Sequence, residues 1–144
     1  MTPAQLELVR ASYATLPDGG EAMAADFYRN LFSIAPQARA LFASDPEVMA
    51  VKFSAELAAI VEAITSFETF APRVRELAVR HVGYGVQPHH YRAVGQALIG
   101  ALAAHLDENW DEEVEAAWQR AYNLVAELMM AAAAGEDDDP ARHS

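Results

Sequence analysis

The sequence predicts an all-α domain, and three observations lead to that fold class. Apolar residues recur at three- and four-residue spacings along most of the chain, as on the buried face of an α-helix. No stretch alternates with the two-residue period of a half-buried strand. Prolines and glycines separate segments of unequal length, which favours steeply crossing helices over an up-and-down bundle.

Two helices are expected before residue 35. Thr2 followed by Pro3 is typical of an N-cap and a first helical residue, and predicts a helix that ends near Ala14. Residues 17–20 are Pro-Asp-Gly-Gly, which predicts a break. A second helix is then expected over residues 21–34.

The middle of the chain predicts a short turn and two further helices. Pro36 opens a short helical turn that ends near Phe42, and a corner of small and polar residues follows. A long helix is expected over residues 46–65. Residues 67–72 are expected to form a connector, with a helix over residues 72–81 after it.

Two long helices, over residues 88–106 and 111–134, are expected to complete a single domain of residues 1–134. Residues 135–144 are acidic and have little to bury, which predicts a disordered tail. The chain has 144 residues, a common size for one domain with a substantial core.

The composition excludes several kinds of site and partner. The formal net charge of −11 argues against binding nucleic acid through its phosphates. The chain has no cysteine, which excludes disulfides and thiolate metal sites and fits a reducing compartment. The sequence shows neither a signal peptide nor a run approaching the roughly 20 apolar residues that span a membrane. We therefore expect a cytoplasmic protein with no membrane span.

The segment around His81 is the most informative part of the sequence. His81 ends an apolar helical pattern, Gly83 and Gly85 break that pattern, and Pro88 opens the next helix. A histidine at a helix C-terminus can reach a flat ligand that lies against the next corner, and a neutral imidazole is a good axial ligand for haem iron. The alternative is a surface histidine near a helix end.

The chain resembles the bacterial single-domain globins, which are similar to the globin half of flavohaemoglobins. The residues that carry the resemblance are, in order, Phe27-Tyr28-Arg29-Asn30-Leu31-Phe32, Pro36 with Phe42, Lys52-Phe53, the segment from Arg80 to Gly95, and Trp118-x-x-Ala121-Tyr122. The match covers about residues 6–132. The resemblance implies a globin fold of about seven helices around a pocket for haem b (iron protoporphyrin IX).

On the proximal side, the resemblance implies that His81 supplies Nε2 as the fifth iron ligand. The carbonyl of Leu77, one helical turn earlier, is expected to accept a hydrogen bond from the other ring nitrogen. Phe42 would stack on the porphyrin at the corner, although an ordinary core aromatic is the alternative. Apolar pocket or core positions are expected at Leu57, Leu77, Val86, Val94 and Leu98.

On the distal side, the resemblance places Tyr28 as a hydrogen-bond donor to bound dioxygen; the alternative is a core tyrosine bonded to a backbone carbonyl. Met49, seven residues after Phe42, would occupy the distal position that is often glutamine or histidine in relatives, and Phe53 would lie beside it. Met49 could fill a gap or act as a sixth ligand. A different gap in the corner would put Lys52 there instead, and Lys52 is otherwise a candidate for a propionate salt bridge or a surface residue.

The proximal side also departs from the flavohaemoglobin pattern. Tyr91, ten residues after His81, matches the tyrosine of a proximal histidine–tyrosine–glutamate triad. The place of the glutamate is taken by Ala133, and Glu136 lies three residues further on. Without that carboxylate, less electron density is pushed toward the iron, so O–O cleavage is disfavoured while reversible ligand binding is not.

Three functions follow from the resemblance. The first is reversible binding of dioxygen, with NO and CO as further gas ligands and a monomer or homodimer as the assembly. The second is NO dioxygenation; because the sequence has no glycine-rich dinucleotide motif, it would need an external reductase. The third is a gas sensor with haem, or a haemless sensor or interaction module.

No protein-only metal site is expected from His89, His90, His105 and His143.

Overall fold

The computed structural model describes residues 1–42, 45–83 and 89–137. In these ranges it has six α-helices: α1 (Pro3–Ala14), α2 (Glu21–Ile34), α3 (Pro46–Ala63), α4 (Phe67–Gly83), α5 (His90–Leu106) and α6 (Glu112–Asp137). Three short 3₁₀ helices lie at Pro17–Gly20, Pro36–Leu41 and Asp107–Asn109. The same ranges contain no β-strand, so the all-α prediction is confirmed.

The N-terminal cap and the first break form as the sequence predicts. Thr2 and Gln5 make a capping box, in which each side chain accepts a hydrogen bond from the other residue's backbone N–H, at 3.1 and 3.0 Å. At the break, the Tyr13 hydroxyl donates to the Gly19 carbonyl at 2.6 Å. That hydroxyl lies 2.9 Å from where a Cβ at Gly20 would be, and Gly20 has a φ of +89°. A side chain at position 20 would therefore clash with the hydroxyl and also strain the backbone.

The predicted connector over residues 67–72 is wrong, because these residues form the first turns of α4. The Ser66 carbonyl accepts hydrogen bonds from the backbone N–H groups of Thr69 at 3.1 Å and Phe70 at 2.8 Å. Pro72 therefore lies inside the helix, where it lacks one N–H donor. The Phe70 ring is only 1% exposed, and its burial offsets that missing hydrogen bond.

Other boundaries differ by a few residues from those expected. α3 ends two residues before the predicted end at residue 65, and α5 begins at His90 rather than at Pro88, which lies outside the described residues. α6 continues to Asp137, three residues beyond the predicted end of the domain. The rest of the predicted tail, residues 138–144, also lies outside the described residues.

The core forms where α2 packs against α5 and α3, and where α6 packs against α1 and α4. Two hydrogen bonds fix these crossings: Trp118 Nε1 donates to Ser12 Oγ at 2.9 Å, and Asn30 Nδ2 donates to the Ala97 carbonyl at 3.2 Å. The largest fully buried side chains are Val9, Met23, Phe70, Val74 and Leu102. Of the helices described, none has the length and apolar character that crossing a membrane requires.

Candidate functional site

An apolar cavity of about 190 Å³ lies at the centre of the helices. All six described α-helices contribute to its lining, from Val9 on α1 to Met129 on α6, so the cavity depends on how these helices pack together. Aliphatic and aromatic side chains make up most of the wall. The polar groups come from a few aromatic residues, which are Tyr28, His81, His90, Tyr91, Trp118 and Tyr122.

Most of the site residues expected from the sequence meet at this cavity. The lining includes Tyr28, Phe42, Phe53, Leu57, Leu77, His81, Tyr91, Val94 and Leu98. These residues come from α2, the corner after it, α3, α4 and α5, which are separated by up to 70 positions in the chain. Val86 falls outside the described residues.

Met49 and Lys52 are not among the described residues that line the cavity. Met49 is buried at 7% exposure near the start of α3, one turn before Phe53. Lys52 is exposed, because neighbouring residues of an α-helix point about 100° apart and Phe53 takes the inward direction. The roles expected for Met49 and Lys52 at the site stay predictions.

His81 lies in the last turn of α4 and is held by its own helix. Its Nδ1 lies 2.9 Å from the Leu77 carbonyl, so the Nδ1–H form donates to that oxygen and Nε2 carries the lone pair. Burial lowers the pKa of His81, and the charge of Arg80 lowers it further, whereas the Leu77 carbonyl and Glu56 act in the opposite direction. The imidazole is therefore neutral at pH 7, the form that can bind a metal.

Tyr28 lies in a cluster of aromatic rings from α2, the corner after α2, and α3. Its ring meets Phe42 edge-to-face at 5.4 Å and Phe53 at 5.8 Å, while Phe27 stacks on Phe53 at 4.3 Å. Burial raises the pKa of Tyr28 to about 12, so its hydroxyl stays a proton donor at neutral pH. Within the described part of the chain this hydroxyl makes no hydrogen bond, which gives no support to a core tyrosine bonded to a carbonyl.

Tyr91 and Tyr122 form a contact that the sequence did not predict. The Tyr122 hydroxyl donates a hydrogen bond to the backbone carbonyl of Tyr91. The Tyr122 ring fits against Gly95, where an added Cβ would lie 2.7 Å from ring atom Cε2. Burial raises the pKa of both phenols. Gly95 was part of a motif in the sequence, but local spacing could not identify Tyr122, 27 residues later, as its partner.

His90 also lines the cavity, although the sequence favoured an ordinary surface role for it. It is the first residue of α5 and precedes Tyr91. Burial lowers the pKa of His90, and the neighbouring His89 ring, 4.2 Å away, adds to that effect. The cue in the sequence was its adjacency to the predicted proximal tyrosine.

The arrangement suits a flat apolar cofactor whose metal takes one axial imidazole. In the described ranges, no group of three or more His, Cys, Asp and Glu side chains could hold a metal ion by itself. His90, Tyr91 and Tyr122 also line the cavity. Its long apolar walls carry the neutral imidazole of His81 and, from another helix, the phenol donor of Tyr28. These are the groups that the haem expected from the sequence would need.

Comparison with known proteins agrees with the geometry. A family model described as Globin matches residues 25–129. A flavohemoprotein of Deinococcus radiodurans is 33% identical over 134 residues, which cover 90% of this chain and 33% of that protein. A flavohemoprotein of Pseudomonas aeruginosa is 32% identical and is covered to 35% of its length. The chain thus spans about a third of the length of the curated relatives it matches.

Two solved structures superpose on nearly the whole chain. An engineered carbene transferase from Rhodothermus marinus, provisionally assigned as a nitric oxide dioxygenase, has a TM-score of 0.84 and 30% identity, with 94% of both chains covered. A bacterial globin from Campylobacter jejuni has a TM-score of 0.83, with 96% of this chain and 100% of that chain covered. Its identity is 23%, so it bears on the fold alone.

Proposed function

The chain belongs to the globin family, as its sequence resemblance predicted, and on that premise we propose that it holds haem b and binds dioxygen reversibly at the iron. Family membership and the flavohaemoprotein relatives imply haem. Haem b is the form that needs no thioether links to the protein, which fits a chain with no cysteine.

The observation that carries the proposal is the state of His81 beside the cavity. With Nδ1–H bonded to the Leu77 carbonyl, the tautomer and the ring orientation are fixed, and Nε2 is the nitrogen that can ligate. Haem bound here would supply an iron that His81 could ligate and that could also take up a diatomic gas. The lowered pKa of His81 keeps protons from competing with the metal at neutral pH.

Tyr28 is the group we assign to the ligand side. Because the pKa of its phenol is about 12, the hydroxyl stays protonated at neutral pH. It can therefore donate a hydrogen bond to the partial negative charge of bound dioxygen. The rings of Phe42 and Phe53 surround it and exclude water, which strengthens such a hydrogen bond relative to one in solvent. Slow release of dioxygen is the expected consequence.

NO dioxygenation is the second candidate, and the relatives are the observation that favours it. The flavohaemoproteins and the provisional nitric oxide dioxygenase of Rhodothermus marinus share the globin part with this chain. The reaction would require electrons from a reductase, and a reducing cytoplasmic setting fits the absence of cysteine. Ala133 in place of the expected carboxylate argues for ligand binding over efficient turnover.

Absorption spectroscopy of the haem-loaded, reduced chain under oxygen tests the first proposal. We expect a Soret band, five-coordinate ferrous haem before oxygen, and an oxygenated spectrum that persists for minutes and reverses under vacuum. Absence of a Soret band would refute haem binding. Nitrate formation from NO, measured with and without an added reductase, separates the second candidate: many turnovers with the reductase would favour dioxygenation over storage or delivery.

A further inference from the structure

A charged cluster lies between α3 and α4 beside the cavity. Glu56 of α3 reaches two arginines of α4: its Oε2 lies 3.6 Å from Arg73 Nη1, and its Oε1 lies 3.5 Å from Arg80 Nη2. The arginines are seven residues apart, about two helical turns, and so share one face of α4. A single carboxylate therefore contacts two successive turns of the helix that carries His81.

The carboxylate is more enclosed than either of its partners. The Glu56 side chain is 26% exposed, whereas both arginines are more than 40% exposed. Its Oε1 is buried and accepts no hydrogen bond from any described residue, despite its closeness to Arg80. A buried carboxylate oxygen needs a compensating charge, and the Arg80 guanidinium supplies it.

Glu56 is linked to His81 through Arg80, with which it pairs at 3.5 Å. Arg80 immediately precedes His81 in the chain, and Glu56 is near enough for its charge to favour the protonated imidazole while Arg80 opposes it. The two charges therefore act on the imidazole with opposite sign. Because Phe53 and Leu57, on either side of Glu56 along α3, line the cavity, Glu56 lies at the edge of the site and not in its wall.

We propose that Glu56 is a positioning residue for His81, whose carboxylate holds α4 through Arg73 and Arg80 and sets the electrostatic field at the imidazole and at the metal it would ligate. The inference rests on the proposed haem binding and extends it. Glu56 supplies this negative charge from α3.

Opposite charges should move the metal's reduction potential in opposite directions. Negative charge near a metal favours its higher oxidation state, and partial solvent exposure weakens that effect without changing its sign. Glu56→Gln should therefore raise the midpoint potential and Arg80→Gln should lower it. The double variant should lie near the wild type, because one charge of each sign is removed.

The experiment is a spectroscopic redox titration of the haem-loaded wild type, both single variants and the double variant. We expect Glu56→Gln to raise the ferrous-to-ferric ratio severalfold at a fixed applied potential; a tenfold change would correspond to about 59 mV. Glu62→Gln is the matched control, because Glu62 lies on the same helix, is 80% exposed and pairs only loosely, at 4.0 Å, with Arg10. It removes the same charge and should leave the potential unchanged.

The variants separate a structural role from an electrostatic one. Denaturant unfolding of each apoprotein reports how much stability the ion pairs contribute, and resonance Raman reports the iron–histidine stretch. Shifts of opposite sign with a wild-type-like double variant support the proposal. Equal shifts for Glu62→Gln and Glu56→Gln, or lost stability with unchanged potential and stretch, would overturn it while leaving haem binding intact. A wild-type chain that takes up no haem would overturn both proposals.

Discussion

The Tyr122 hydroxyl donates a hydrogen bond to the backbone carbonyl of Tyr91, and its ring occupies the space that a side chain at Gly95 would need. This contact joins α5 to α6 at the wall of the cavity. Tyr91 and His81 line the same cavity. The absence of a side chain at Gly95 therefore determines how closely α6 packs against the site. Glycine at position 95 is thus a packing requirement, because its conformation is ordinary helix.

Gly95→Ala is expected to destabilise the protein. The added Cβ would meet the Tyr122 ring at 2.7 Å, and this half-buried ring, packed between two helices and held by its hydrogen bond to Tyr91, cannot move aside without disturbing its neighbours. We expect a loss of about 1–3 kcal/mol in the free energy of unfolding, measured by urea denaturation of the apoprotein.

Gly100→Ala is the matched control, because Gly100 is exposed on the same helix. Its added Cβ would lie 3.4 Å from Asn30 Nδ2, an ordinary contact. We expect a gain of up to about 1 kcal/mol from helix propensity. Equal losses for the two variants would contradict the packing argument.

Tyr28→Phe is expected to speed dioxygen release from the haem-loaded protein about five- to tenfold, the effect of losing a hydrogen bond worth roughly 1–1.5 kcal/mol. Stopped-flow displacement of dioxygen by CO measures the rate. The hydroxyl makes no hydrogen bond within the described residues, so apoprotein stability should stay nearly constant. An unchanged release rate would remove Tyr28 from the ligand side.

The sequence predicted the fold class and most of the residues that line the cavity, because both depend on local patterns. Helical spacing and the Pro and Gly breaks predict most helix boundaries to within a few residues. His81 and Phe42 belong to ordered motifs next to helix ends, and both line the cavity. The assignments of Met49 and Lys52 stay predictions, because they depend on the length of a corner that helical periodicity does not determine.

The contacts between distant helices could not be predicted in the same way. Glu56 precedes Arg80 by 24 residues, and only the packing of α3 on α4 shows that the two side chains meet. Tyr122 was visible as part of a motif, but its partner depends on the crossing of α5 and α6. The helical turns after Phe67 were missed because burial of Phe70 outweighs the local effect of Pro72.

His81→Ala is expected to abolish stable haem uptake, because the imidazole is the one assigned iron ligand from the protein. Haem titration followed at the Soret band measures uptake, and added imidazole should partly restore the five-coordinate spectrum in the variant. His89→Ala provides the control, since that imidazole is exposed and does not line the cavity. Full haem retention by His81→Ala would refute the proximal assignment.

The apoprotein should lose stability as the pH falls below about 6.5, the ordinary pKa of histidine. Burial lowers the pKa of His81 in the folded state, so between its folded and unfolded pKa values the unfolded chain binds more protons, and acid favours unfolding. The contribution of His81 is therefore fully present above pH 6.5 and decreases until the pH passes the folded pKa. His90 adds a contribution of the same sign.

Urea denaturation of the apoprotein between pH 7.5 and 5 measures this dependence, in steps of about half a unit across the histidine range. Replacing His81 with Phe should flatten the slope, because a phenyl ring of similar volume has no proton to gain. His90→Phe should flatten it less, since His90 is the more exposed of the two at the start of α5. A slope unaltered by His81→Phe would mean that the imidazole is as well solvated in the folded chain as in the unfolded one, which would also remove the physical basis for keeping it neutral beside a metal.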